Sequence, residues 1–158
     1  MERTRSEYRL KPLDPFTLPP SQLDARRVEI GDRDRLALLL LDAYRGTVDD
    51  EGETLDDAFL AADSWFAAIE WDHSFVLEED GELVAVSFVV VVEGVRYIDP
   101  VLTASESKGR GLGTAMVCRS LRSLAADQIT EVGATITDGN EPSERLFARL
   151  GFLRTGSW

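Results

Sequence analysis

The stretch that decides the reading is Lys108-Gly109-Arg110-Gly111-Leu112-Gly113-Thr114. It follows a strand-like segment and opens a helix over Leu112–Asp127, with Leu112, Met116, Leu121 and Leu124 inward at helical spacing. Three glycines at alternate positions let the backbone turn tightly and leave its amides uncovered. The helix that begins there adds further unpaired amides and a partial positive charge. Lys108 and Arg110 contribute cations. Together these features suit a phosphate or pyrophosphate. The spacing is neither a Walker loop, which the chain lacks, nor a dinucleotide fingerprint, whose Gly-x-Gly-x-x-Gly lies near a first strand. Taken alone, the stretch also fits a plain flexible connection.

Outward from the loop, the elements alternate. Val95–Thr103 reads as a strand, joined through Glu93-Gly94 to Leu83–Val92, a run β-branched enough to be covered on both faces. Ser74–Leu77 is a short strand before the turn Glu79-Asp80-Gly81. Further upstream lie a helix over Leu55–Ile69, an acidic connection over Thr47–Thr54, and a helix carrying Leu36, Leu39, Leu40, Ala43 and Tyr44. Asp32 reads as the N-cap of that helix, and Gly46 ends it. Ala25–Ile30 has room for a short strand. Pro12, Pro15, Pro19 and Pro20 forbid a long helix over residues 1–25 and make that stretch an extended surface arm. Downstream come a strand over Val132–Thr137, a helix over Pro142–Leu150 with Gly151 past its end, and a short strand or tail over Phe152–Trp158. The expected fold class is α/β (a mixed α+β sheet): one domain over 26–158 behind an arm over 1–25.

Composition narrows the function classes. The chain has 158 residues, enough for one domain with a real core. Its net charge is -12, which argues against nucleic acid as a partner. Residues 31–70 hold 3 basic and 11 acidic side chains, and residues 71–106 hold 1 and 8. Residues 107–158 reverse this with 7 basic and 5 acidic side chains, so the last third tolerates an anion. One cysteine, Cys118, and one histidine, His73, argue against a disulfide framework and a metal site. No apolar run approaches the roughly 18–20 residues that span a bilayer. A cytoplasmic chain with no membrane partner and no metal is the expectation. His73 and Cys118 read as structural, and Trp65, Phe66 and Trp71 as core. Tyr97 is left between cleft and core.

Lys108–Gly113 resembles the Gln/Arg-x-x-Gly-x-Gly/Ala signature of the GCN5-related N-acetyltransferases, with Lys108 in place of the usual glutamine or arginine. Asn140-Glu141-Pro142-Ser143-Glu144-Arg145-Leu146-Phe147-Ala148-Arg149-Leu150-Gly151-Phe152 is similar to the family's Asn-x-x-Ala/Ser-x-x-Leu-Tyr/Phe-x-x-x-Gly-Phe run. Either motif alone is weak; the pair in this order is specific. The resemblance covers residues 72–154 strongly and 28–71 in element order.

The resemblance implies a central mixed sheet flanked by helices, with Tyr97–Thr103 and Val132–Thr137 as parallel strands splayed around acetyl-CoA. Backbone groups of Val101, Leu102 and Thr103 would pair with the pantetheine arm, and an amide there would polarise the thioester carbonyl. Amides of Gly109, Arg110, Gly111, Leu112, Gly113 and Thr114, beside Lys108, would hold the pyrophosphate. Asn140 would contact the cofactor arm, and Phe147 stands where the family often has a tyrosine that protonates the departing thiolate. Phe147 cannot do so, which leaves water or Ser143; Ser143 equally fits an ordinary first-turn residue. Asp99 is the candidate general base, at a place where many relatives carry glutamate. The competing reading makes Asp99-Pro100 a bulge with Asp99 solvated.

The implied activity moves an acetyl group from acetyl-CoA to a primary amine by direct attack in a ternary complex. Asp42, Asp49, Asp50, Glu51, Asp56 and Asp57 would steer a cationic small-molecule or peptide acceptor. Two alternatives stay open, a non-catalytic CoA or acyl-CoA module and a phosphate-loop protein for another nucleotide. The last strand would be completed by the proline-rich arm or by a second subunit in a homodimer.

Overall fold

The β-branched run near residue 88 becomes the longest strand, and the sheet grows from both of its edges. A computed structural model describes residues 4–20 and 23–157. In chain order the elements are β1 (Arg5–Leu10), β2 (Arg26–Arg27), α1 (Arg33–Tyr44), α2 (Leu55–Ala68), β3 (Phe75–Glu79), β4 (Glu82–Val92) and β5 (Val95–Thr103). They continue with α3 (Leu112–Ala126), β6 (Val132–Thr137), α4 (Glu141–Arg149) and β7 (Leu153–Ser157). The seven strands lie in the order β2-β3-β4-β5-β6-β1-β7. Among the described residues, only β5 and β6 are parallel.

Helices cover both faces. On one, Val117, Leu121 and Leu124 of α3 and Phe147 of α4 pack with Ile98, Val132 and Ile136. On the other, Leu36 and Leu40 of α1 and Ala58 and Ala62 of α2 meet Val86, Phe88 and Leu102. Residues 83–89 of β4 are all buried, as a strand covered on both sides requires. The polar exception, Ser87, shares a hydrogen bond with the Ser120 hydroxyl at 3.0 Å. Phe66 packs on Trp71 with ring centroids 5.0 Å apart, so these aromatics serve the core. His73 is buried between Ser123 and Asp127, at 2.7 and 3.1 Å, and Cys118 is buried.

Three local expectations change. Asp32 precedes α1, but its side chain does not cap the helix. It is 1% exposed and accepts from the Glu29 amide at 2.8 Å and from the guanidiniums of Arg26 and Arg35. Two cations offer stronger hydrogen bonds than helix amides. The strand expected at 25–30 shrinks to Arg26–Arg27. The surface arm is, over Arg5–Leu10, an interior strand, paired with β6 along one edge and with β7 along the other. Its prolines begin at Pro12, after the ladder has ended, so none interrupts it. Beyond the strand the chain passes α3, with the Leu13 amide donating to the Thr130 carbonyl at 2.8 Å and Leu13 and Leu18 buried. Burying those leucines outweighs leaving the segment in solvent. No helix among the described residues is long and apolar enough to cross a membrane.

Candidate functional site

The site begins where the sheet fails to close. β5 and β6 pair only at Arg96 with Val132 and Tyr97 with Gly133; past that rung they separate. Tyr97 sits at the fork. A Cβ on Gly133 would stand 2.5 Å from Tyr97 Cε2, so the ring lies directly across a bare backbone. Its hydroxyl reaches β1, donating to Glu7 at 2.8 Å and accepting from Arg9 at 2.8 Å. On the other side of β5, the register against β4 slips between Ser87 and Val89, which makes Asp99-Pro100 a bulge. Because the β6 ladder stops at Tyr97, the edge of β5 facing β6 at Val101, Leu102 and Thr103 has no ladder partner among the described residues.

The glycine loop follows directly. Among the described residues, the amides of Gly111, Leu112, Gly113 and Thr114 have no protein acceptor, and the helical ladder starts only with Ala115 to the Gly111 carbonyl. Gly109 and Gly111 take φ of +87° and +75°, which other residues rarely adopt, and a Cβ on either would point into open space. Gly113 is in a tight place of another kind. A Cβ there would lie 3.0 Å from Leu146 Cδ1, where α3 meets α4. The flanking cations are engaged with the protein. Lys108 Nζ donates to the Ala43 carbonyl at 3.1 Å, and Arg110 pairs with Glu79 at 3.0 Å. Asp42, read from sequence as part of the acceptor rim, instead binds the Ser105 amide and hydroxyl, both at 2.8 Å. The loop is thus fastened to the end of α1, and the bare amides are its exposed feature. They fit an oxyanion-rich group such as a diphosphate.

Between the parted strands lies a cleft of about 70 Å³ whose walls include Tyr44, Asp49, Asp99, Val101, Asn140, Ser143 and Phe147. Asp99 keeps some solvent contact there but is largely enclosed by protein. Burial pushes its carboxyl above the ordinary value, with the Asp49 charge adding to the rise and Arg5 opposing it. Asn140 caps α4 by accepting from the Ser143 amide at 3.3 Å, and its side-chain amide donates to Asp49 at 3.2 Å. Asp49 also accepts from the Thr137 hydroxyl at 2.7 Å. Phe147 is 4% exposed and packs edge-on against Phe152.

Sequence reasoning missed Tyr44 and Arg5 as cleft residues and placed Asp49 only at a rim. Tyr44 ends α1, and its hydroxyl has no hydrogen-bond partner among the described residues. Burial, then the charges of Asp49 and Asp99, raise its pKa far above that of an ordinary phenol. Its place beside Gly46 at a helix end was the signal available.

A splayed parallel pair with a free glycine loop at its mouth is a distinctive geometry, and sequence comparison agrees with it. The acetyltransferase (GNAT) family model matches residues 34–152. The chain belongs to that family. No curated protein matches it in sequence. Among solved structures, a GCN5-related N-acetyltransferase from Sphaerobacter thermophilus superposes with a TM-score of 0.72 at 17% identity, covering 98% of this chain and 49% of that one. A GNAT-family acetyltransferase from Colwellia psychrerythraea gives 0.71 at 12% identity, covering 99% and 54%. AAC(6')-Iy, solved in complex with the bisubstrate analogue CoA-S-monomethyl-acetylneamine, gives 0.60 at 18% identity, covering 84% and 92%. Identities this low speak for the GNAT fold alone. The chain spans about half the length of the first two structures.

Proposed function

We propose that this GNAT chain transfers an acetyl group from acetyl-CoA to a primary amine by direct attack in a ternary complex. The observation that carries this reading is the run of amides at 111–114 without protein acceptors, set at the mouth of a cleft that holds a half-buried carboxylate. Amides of residues 109–114 grip the diphosphate, and the open edge of β5 at Val101, Leu102 and Thr103 pairs with the pantetheine arm and polarises the thioester carbonyl.

The acceptor amine is protonated near neutral pH and must lose a proton to become a nucleophile. Asp99 takes it, directly or through one water; its raised pKa makes it a better base than a surface aspartate. The nitrogen then attacks the carbonyl carbon, the C–S bond breaks, and the electron pair leaves on sulfur. Phe147 supplies no hydroxyl for that sulfur. The Tyr44 hydroxyl, in the same cleft, does. With a pKa far above that of a thiol, Tyr44 keeps its proton and stabilises the thiolate by hydrogen bonding. The attacking nitrogen gives up its second proton as the amide forms, and that proton reaches the thiolate through water, with Ser143 as a further hydroxyl in the cleft wall. Asp49 and Asp99 together favour a cationic acceptor, small molecule or peptide.

The test is thiol release from acetyl-CoA across a panel of primary amines, with calorimetry for CoA. Acceptor-stimulated release whose KM rises with ionic strength is expected. Tight CoA binding with only slow, acceptor-independent hydrolysis would assign a non-catalytic CoA module instead. No CoA binding would end both readings.

A further inference from the structure

The outer flank of α3, away from the cleft, carries a second assembly of groups. α3 turns Gly113 toward Leu146 of α4, and it turns Leu112, Met116 and Arg119 the other way, over β3. Arg119 lies over the ring of Phe75, its Cζ 4.1 Å from the centroid. Phe75 pairs with Arg27 across β2 and β3, so those two side chains leave the same face of the sheet. Arg122, three residues after Arg119 and so on the same side of α3, donates to the Pro19 carbonyl. Arg26, Arg35 and Arg110 nearby each pair with a carboxylate. Arg27, Arg119 and Arg122 pair with none among the described residues, in a chain whose net charge is -12. Burial, then the charges of Arg27 and Arg122, draws the Arg119 pKa down, which is the signature of cations gathered without a counterion.

Beside these arginines runs an open groove of about 560 Å³, walled by Pro15, Leu18, Pro20 and Leu23 together with Arg119 and Arg122. That size falls within the range of small-molecule sites. An acidic protein or a nucleic acid carries many charges into the strongly negative field of the rest of the molecule, whereas a small ligand carries one or two. We propose that this groove binds a small amphipathic anion, its carboxylate, sulfonate or phosphate held by Arg27, Arg119 and Arg122 and its apolar body seated on Pro15, Leu18, Pro20 and Leu23. The site stands apart from the proposed acetyl transfer and does not depend on it.

The probe is 8-anilinonaphthalene-1-sulfonate, titrated by fluorescence into the full chain with saturating CoA present to occupy the glycine loop. One saturable site is expected, displaced by octyl phosphate and not by neutral octanol, and weakened by 0.5 M salt on the order of several-fold. The double variant Arg119→Glu, Arg122→Glu lowers probe affinity at least about tenfold. Arg27→Ala, a single change at an exposed position, lowers it several-fold and keeps the test decisive if the double variant fails to fold. Affinity unchanged in Arg27→Ala, or displacement by octanol as effective as by octyl phosphate, overturns the proposal. In a separate titration begun without CoA, displacement of the probe by CoA would place it in the cleft and also overturn the proposal.

Discussion

Replacing Gly133 by alanine tests the fork on which the cleft depends. The new Cβ would meet Tyr97 at 2.5 Å from Cε2 and 2.7 Å from Cδ2, roughly 1 Å inside ordinary contact. A free aromatic ring would swing aside at little cost. Tyr97 is 4% exposed, and its hydroxyl is tied to Glu7 and Arg9, with the Arg9 guanidinium 5.3 Å from its ring centroid. Leaving would forfeit two hydrogen bonds to charged groups, each worth about 1.5–3 kcal/mol. Shifting β6 instead costs about 3 kcal/mol, the upper end for overpacking, so the backbone yields first. Alanine regains about 0.5–1 kcal/mol through a less flexible unfolded chain. The net loss is about 2 kcal/mol, or roughly 4–8 °C in Tm for a chain of this size. Urea denaturation followed by circular dichroism measures it. In a Tyr97→Ala background the overpacking disappears and the same substitution should be neutral to slightly stabilising, giving a coupling energy of about 3 kcal/mol in the double-mutant cycle. CoA affinity should fall in Gly133→Ala, because the displaced rung is the last before the strands part. A stability change below about 0.5 kcal/mol in the otherwise unchanged chain would refute the account of how the fork is built.

Asp99→Asn should lower kcat/KM for the amine by about 10²–10⁴ and remove the acid limb of its pH profile, whose midpoint in the unaltered chain lies above the ordinary 3.8. The linkage runs opposite to that of a paired carboxylate. Because the folded pKa is raised, ionising Asp99 costs stability as pH climbs past 3.8, so Asp99→Asn should be at least as stable at pH 7 and lose any advantage in acid. A variant clearly less stable at pH 7 contradicts this. Lys108→Met cuts the tie to the Ala43 carbonyl and should weaken CoA binding about 3–10-fold, read by calorimetry, with folding little changed; unaltered affinity shows that the loop holds its shape alone. Asp32→Ala leaves Arg26 and Arg35 facing an emptied site and should cost about 3–5 kcal/mol in urea. Burial by itself would raise the Asp32 pKa, but hydrogen bonds from Arg26 and the Glu29 amide, and the charges of Arg26 and Arg35, hold it below 3.8. Its contribution to stability is therefore present above pH 3.8 and disappears as pH falls through the lowered value, a slope that Asp32→Ala should flatten.

What the sequence determined by itself was local. Alternate glycines ahead of an amphipathic helix set a bend with bare amides, because positive φ and unpaired first-turn donors are properties of a few adjacent residues. The unbroken apolar run of β4 demanded cover on both faces for the same reason, and Asn140 with Gly151 bounded α4. Pairing over long separations was illegible. Arg5–Leu10 reads Arg-Ser-Glu-Tyr-Arg-Leu, too polar to announce an interior strand, and its partners on β6 lie well over a hundred residues away. The same holds for the cleft. Tyr44, Asp49 and Asp99 sit on three separate elements, and their meeting follows from how α1 packs on the sheet and where β5 leaves β6. Asp42, Lys108 and Arg110 show the converse, since tertiary contacts took up charges that composition had offered to ligands. Tertiary structure decided which groups remain free to act, because a side chain's partners depend on packing between distant segments and not on its neighbours in the chain.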